Sequence, residues 1–160
     1  AVAQRQGRLH RNFQGYSTRA GADLVGLGIT SIGSVGRTYS QNLKEIPAWR
    51  ERIVRGELPV FRGYRLSDDD LLRRHVITRL MCDFALDFAD VERSFGIDFG
   101  SYFADALEDL EAPIADGLVR RTDRGLAVTW EGRFLIRNLC MPFDRYLRES
   151  AARDRFSRTV

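Results

Sequence analysis

The run RNFQGYSTRAGADLVGLGITSIGSVG, Arg11 to Gly36, is the part of the chain whose residue types and spacing come nearest to a ligand loop. Glycines leave backbone N–H groups bare, and bare amides at the end of a strand can receive a ligand. Both nucleotide motifs nevertheless fail at the residue that carries their chemistry. A dinucleotide fingerprint needs Gly-x-Gly-x-x-Gly; Gly26 and Gly28 fit, but the third position is Ser31. A P-loop needs Lys after its second glycine, and Gly33 is followed by Ser34. The alternative is a packed strand with turns. The remaining reactive residue types are scattered. His10 and His75 have no Glu or Cys at ligand spacing, so they make no metal site. His10 is a candidate to titrate or to hydrogen-bond a ligand, and His75 reads as a boundary residue of a helix. Cys82 and Cys140 stand 58 positions apart, in the apolar contexts LMCDF and NLCMPF. They read as buried free thiols in a reducing cytoplasm, with no disulfide framework. Ser17, Ser31 and Ser34 lack a Gly-x-Ser-x-Gly elbow, which argues against a serine hydrolase.

The chain has 160 residues, a formal net charge of +3 and an apolar fraction of 44%, enough for a real core. No apolar run approaches the roughly 20 residues that span a bilayer. The first residues, AVAQRQGRLHRN, have no apolar signal-peptide region and no initiator Met, so Ala1 is expected to be an internal start. The charge is unevenly spread. Residues 1–22 hold four Arg and no acid, residues 83–116 hold ten acids and one Arg, and 145–160 hold five Arg and two acids. Of 25 basic residues only Lys44 is Lys. The planar fork of Arg suits carboxylates.

Periodicity supplies the elements that must position these residues. Residues 1–22 read as an irregular connection. Asp23 to Thr30 reads as a buried strand with close backbone approach at its glycines, and Ser31 to Gly36 as the loop after it. Ile46 to Arg55 is a short helix stopped by Gly56. The break Glu57-Leu58-Pro59 places a domain boundary at 58/59. Ser67-Asp68-Asp69-Asp70 is a capping box opening a helix with Leu72, Val76 and Leu80 on one face and Ile77, Met81 and Phe84 beside them. A helix over Phe88 to Phe95 ends at Gly96. Asp98 caps a longer one running to Ile114, which Pro113 should kink or end. Leu118 to Arg121 and Leu126 to Thr129 form a hairpin around Thr122-Asp123-Arg124-Gly125. Trp130 onward returns to helix, with Phe134, Leu135, Leu139 and Phe143 inward, before the tail AARDRFSRTV.

Three helices and a hairpin are the layout of a winged helix, but the charge argues against DNA. Between Leu66 and Arg148 there are 11 Arg and 16 acids, and the expected helix Asp98 to Ile114 carries five acids and no base. Nucleic-acid affinity rests on phosphate neutralisation. No nucleic acid is expected as a partner, and a lid or docking module fits better.

HRNFQGYSTRAGADLVGLGITSIGSVG followed by TYSQN, the run LIRNLCMPFDRYLRE and the terminal FSR together resemble the oxygen-independent coproporphyrinogen III oxidases, also called coproporphyrinogen dehydrogenases. The resemblance covers essentially the whole chain. It implies a radical SAM enzyme whose partial TIM-type barrel holds a [4Fe–4S] cluster on CxxxCxxC. That cluster reduces S-adenosylmethionine to a 5′-deoxyadenosyl radical. Two propionates lose hydrogen and CO2 to become vinyl groups, giving protoporphyrinogen IX for haem synthesis. The chain has no CxxxCxxC. It therefore looks like the C-terminal third. Residues 1–58 are the expected end of the barrel, 59–160 a helical, winged-helix-like domain with a hairpin, and the fold class is α+β, mostly helical. By itself the fragment is expected to be inactive, its partners being the preceding catalytic region and the porphyrinogen. The protein is expected to be cytoplasmic, without a membrane span, and monomeric at full length. The resemblance places Phe13, Gln14 and Ile32 in the pocket near a second S-adenosylmethionine, and no metal ligand in this chain. Arg8, Arg11 and Arg19 are candidates to hold propionates through bidentate pairs. Relatives with the same plan that bind haem or transfer methyl groups stay open as alternatives, as does a stand-alone docking module.

Overall fold

A computed structural model describes residues 2–12 and 14–150. Phe13 and the expected tail from residue 151 onward lie outside the described residues. Helix α1 (Val2–Arg5) leads into a hairpin of β1 (His10–Asn12) and β2 (Gly15–Ser17). After an extended stretch come β3 (Ile32–Val35), β4 (Thr38–Asn42), helix α2 (Ile46–Val54) and β5 (Val60–Arg65). The last three strands form an antiparallel sheet in the order β3-β4-β5. The segment expected to be irregular thus holds a helical turn and a hairpin. Its polar, Arg-rich pattern hides them because contacts far along the chain hold them: Gln4 Nε2 donates to the Cys82 carbonyl at 2.7 Å, and Arg79 donates to the Leu9 carbonyl at 3.0 Å.

The Gly-rich run is also placed differently. Asp23–Thr30 makes a single bridge, Leu24 to Ser34, while the expected loop contains β3. Glycine is needed there for close backbone approach. A Cβ on Gly26 would lie 2.9 Å from the Ile32 carbonyl, and one on Gly33 would lie 2.8 Å from Ser40 Oγ. One buried amide fixes the crossing: Asn42 Nδ2 donates to the carbonyls of Gly26 at 3.2 Å and Gly28 at 2.9 Å, and to Ser31 Oγ at 3.0 Å. Pro59 is buried, its carbonyl accepts from Leu43 N at 2.8 Å, and β5 beyond it pairs along β4. The sheet therefore takes strands from both sides of residue 58.

The chain continues through α3 (Asp68–Asp83), β6 (Ala85–Asp87), α4 (Phe88–Phe95), α5 (Phe99–Tyr102), α6 (Ala104–Asp109), α7 (Glu111–Ala115), β7 (Val119–Thr122), β8 (Gly125–Val128), α8 (Ile136–Cys140) and α9 (Arg145–Ser150). A second antiparallel sheet has the order β6-β8-β7. The helix α3 buries Leu72, Val76 and Leu80, with Ile77, Met81 and Phe84 packed at the edge of the same core. Aromatic rings fill the centre: Phe88 stacks on Phe99 at 4.1 Å, and Phe103 lies 5.4 Å from Phe143.

Three expectations change in this half. The long helix from Asp98 is broken into α5, α6 and α7. Pro113 explains the last break: in a continuous helix its ring meets the carbonyl four residues back and its nitrogen cannot donate, whereas in the first turn of α7 neither matters. The segment after Trp130 starts as a 3-10 turn, Gly132–Leu135, so Phe134 points outward and is 78% exposed. A turn of three residues shifts the face that an α-helix would bury; Gly132 itself is required, since a Cβ there would lie 2.0 Å from the Leu118 oxygen. Strand β6 has only three residues and carries no pattern of its own.

The capping box does more than start α3. Ser67 N donates to Asp70 Oδ2 at 2.8 Å and Asp70 N donates to Ser67 Oγ at 3.2 Å. The Asp70 side chain is 4% exposed, and it also accepts from Ser67 Oγ at 2.7 Å, Tyr146 OH at 2.8 Å and Tyr64 OH at 3.3 Å. Asp69 beside it accepts from Arg73 Nε at 2.7 Å and Tyr102 OH at 2.7 Å, and pairs with Arg145 at 2.6 Å. Strand β5, helices α3 and α5 and the terminal α9 meet at these two carboxylates.

Burial alone would raise the Asp70 carboxyl, but the Ser67 hydroxyl and amide and the Tyr146 and Tyr64 hydroxyls outweigh it and hold it at about 2. Its folded value lies below the ordinary 3.8, so its contribution, about 2 kcal/mol, is present above pH 3.8 and is lost as pH falls toward 2. Denaturant unfolding of Asp70→Asn against the parent across that range should show the stability gap narrowing by this amount. In the core, Phe99→Ala should cost about 3–5 kcal/mol by the same assay, where a loss under 1 kcal/mol would contradict the packing described.

Candidate functional site

Arginines from the acid-free N-terminal stretch converge on the exposed side of α3. A cleft of about 560 Å3 opens between the β1–β2 hairpin, the Leu24–Ser34 crossing and α3, and Arg11, Arg19, Tyr39 and Arg74 line it. A second cleft of about 490 Å3 adjoins it, lined by Arg8, His75, Arg79 and Phe95. His10, Arg74 and Thr78 belong to both.

Each side chain has a local reason for its place. Arg11 comes from β1, reaches Met81 Sδ at 3.0 Å and lies over the Tyr16 ring at 5.7 Å. Arg8 is braced by Gln6 Oε1 at 3.1 Å. The backbone N of Arg19 donates to Ser17 Oγ at 3.0 Å, a turn that carries the exposed guanidinium to the cleft. Arg79 is committed elsewhere, paired with Asp83 at 2.9 Å. Asp23 is the acid lining the first cleft, and its Oδ1 accepts from Gly36 N at 2.8 Å. Burial holds His10 below its ordinary 6.5, and Arg79 and Arg74 press it further down. His75, 5.3 Å from the Phe95 ring, is lowered by burial and Arg79 against the opposing pull of Asp83 and Asp90. Both imidazoles are therefore neutral at pH 7, and each keeps one N–H donor and one acceptor. The floor is positive and donor-rich, a place for carboxylates.

The structure brings Arg11 and Arg19 to one cleft and Arg8 to the other. Gln14 and Ile32 lie outside both linings. Gln14 occupies the hairpin turn, exposed, with its N donating to Asn12 Oδ1 at 2.9 Å and its side-chain amide unpartnered among the described residues. Ile32 is half-buried on β3 opposite Gln41, two residues from Ser34 of the cleft and so on the same face. Phe13, between Asn12 and Gln14, is outside the described residues. Arg74, Tyr39 and Thr78 escape sequence reasoning: Arg74 sits in a capped helix beside Arg73, and nothing in the string RRH separates a cleft residue from a surface one.

The residues present do not fit an iron–sulfur cluster, which is held by three or four Cys thiolates at one point, whereas the chain has two Cys. Cys82 and Cys140 are buried, and burial pushes the Cys140 thiol up to about 12 and raises Cys82 as well. Among the described residues no group of three His, Cys, Asp or Glu is arranged to hold a metal ion, and no helix is long and apolar enough to cross a membrane.

Residues 66–135 match the HemN C-terminal domain. The chain is 49% identical over 160 residues to the oxygen-independent coproporphyrinogen III oxidase of Pseudomonas aeruginosa, covering all of this chain and 35% of that protein. Identity is 47% over 161 residues to the enzyme of the same name from Escherichia coli, and 38% over 159 residues to that of Helicobacter pylori. The solved structure of coproporphyrinogen III oxidase (HemN) from Escherichia coli, a radical SAM enzyme, superposes with a TM-score of 0.88 at 45% identity, covering 92% of this chain and 34% of that one. The chain spans about a third of the length of the curated relatives it matches. Along its whole length the chain is similar to the oxygen-independent coproporphyrinogen III oxidases, and it contains a HemN C-terminal domain.

Proposed function

We propose that the chain is the C-terminal part of an anaerobic coproporphyrinogen III dehydrogenase, an oxidoreductase of haem biosynthesis. It converts two propionates to vinyl groups, with loss of CO2, and yields protoporphyrinogen IX in the cytoplasm. The observation that carries this reading is the TM-score of 0.88 at 45% identity to a radical SAM coproporphyrinogen III oxidase. The catalytic remainder, with its cluster, is the partner this part requires, and the complete protein acts as a monomer.

The end of the radical SAM barrel, expected over residues 1–58, then runs on through β5, which pairs along β4, and the winged-helix-like C-terminal domain follows from Leu66. Surface chemistry supports the first. From Val25 to Ile29 exposed apolar residues alternate with half-buried glycines, the pattern of a strand whose neighbour is elsewhere. Val54, Leu58 and Phe61 are exposed too, which suits a face meant for more polypeptide. The order of α3, β6, α4, α5–α7, β7 and β8, with sheet order β6-β8-β7, supports the second.

Gln14, Ile32 and Phe13 line the pocket of a second S-adenosylmethionine in this reading, Gln14 offering an unpartnered amide and Ile32 excluding water. S-adenosylmethionine supplies the radical chemistry when bound; these residues hold and orient. Arg8, Arg11 and Arg19 grip propionates, which are carboxylates at neutral pH. In the full-length protein, Arg11→Ala should raise KM for coproporphyrinogen III about tenfold with a smaller change in kcat, the loss of one charge-assisted pair. An unchanged KM removes Arg11 from the substrate site.

A further inference from the structure

We infer that Arg74, on α3 of the C-terminal half, is a substrate-binding residue that receives a carboxylate at the wall shared by the two clefts. This rests on the porphyrinogen reading of the groove. Helix α3 carries three arginines, Arg73, Arg74 and Arg79, and their partners differ. Arg73 pairs with Asp69 and Arg79 with Asp83, each across one helical turn. One turn before Arg74 stands Asp70, whose oxygens are occupied by Ser67, Tyr64 and Tyr146; one turn after it stands Thr78, which is neutral. No carboxylate lies within ion-pair distance of Arg74 among the described residues.

The guanidinium is nonetheless held. Its Nη1 donates to Tyr39 OH at 3.2 Å, and its carbon lies 6.0 Å from the centre of the Tyr39 ring. Tyr39 stands on β4, so the first sheet aims a side chain that belongs to the helical half. A planar fork fixed on one side keeps most of its five N–H donors for a ligand. Arg11 and Arg19 share one cleft with it and Arg8 the other, and Asp23, tied to Gly36 N, is the acid on the lining. His10, neutral beside Arg74, adds an imidazole donor without adding charge. A flat molecule bearing several acids, laid across both clefts, meets Arg74 at the point where they join.

The test uses the full-length protein and coproporphyrin III, a stable tetracarboxylate, with its tetramethyl ester as the acid-free control. Dissociation constants are read by absorbance titration. Arg74→Ala should weaken coproporphyrin III about tenfold and leave the ester unchanged. Arg74→Lys, a point charge in place of a fork, should recover part of the loss. Arg120→Ala, which removes the same charge from exposed strand β7, should leave both ligands unchanged. If Arg11→Ala weakens the tetracarboxylate and Arg74→Ala does not, the assignment of Arg74 falls while the substrate reading stands. If neither does, the groove is not the propionate site and both fall. An Arg74→Ala protein that loses ester and acid affinity alike acts through packing, which also overturns the inference.

Discussion

The Asp70 carboxylate is the point at which the separate parts of the molecule are fastened. It is nearly sealed from solvent, and it survives as an anion because two groups of Ser67 and two tyrosine hydroxyls surround it. Tyr64 reaches it from the first sheet and Tyr146 from the last helix. A buried charge with that many donors is stable in place and costly to leave half-satisfied. The start of α3 is fixed in space by this junction, and so is the direction in which the helix runs.

From that start α3 serves two sides at once. One face, Leu72, Val76 and Leu80, closes the aromatic core with Phe99, Phe103 and Phe143. The other carries Arg74, Thr78 and Arg79 beneath the hairpin that delivers Arg8, His10 and Arg11. The groove is a seam between two sheets, with α3 as its floor. Of the acids in residues 83–116, Asp83 and Asp90 act on Arg79 and His75 at the edge of the second cleft, while Asp105 and Asp109 pair with Arg148 on the helical part.

Features decided within a few residues were legible in the sequence. The capping box of α3, the Gly96 stop after α4 and the turn Thr122–Gly125 are local chemistry, and they stand where composition places them. Close backbone approach at Gly26 was legible as well. The segment paired along the sheet was not, because Asn42 organises the crossing from 14 to 16 residues away. The short strands β5 and β6 take their extended form from partners distant in sequence. In the site, the acid-free arginine stretch announced Arg8, Arg11 and Arg19, whereas Arg74 could be told from Arg73 only once Tyr39 was seen beside it. Gln14 and Ile32 came from the family resemblance and not from their own surroundings.

The claim that Asp70 fastens the sheet and the last helix to α3 is tested most directly by native-state hydrogen exchange on the chain with Asp70→Asn, compared with the parent. Local fastening predicts that amides of β5 and α9 lose protection while those of α3 beyond Leu72 and of β7 and β8 keep theirs. Equal loss everywhere, or none in β5 and α9, would contradict it.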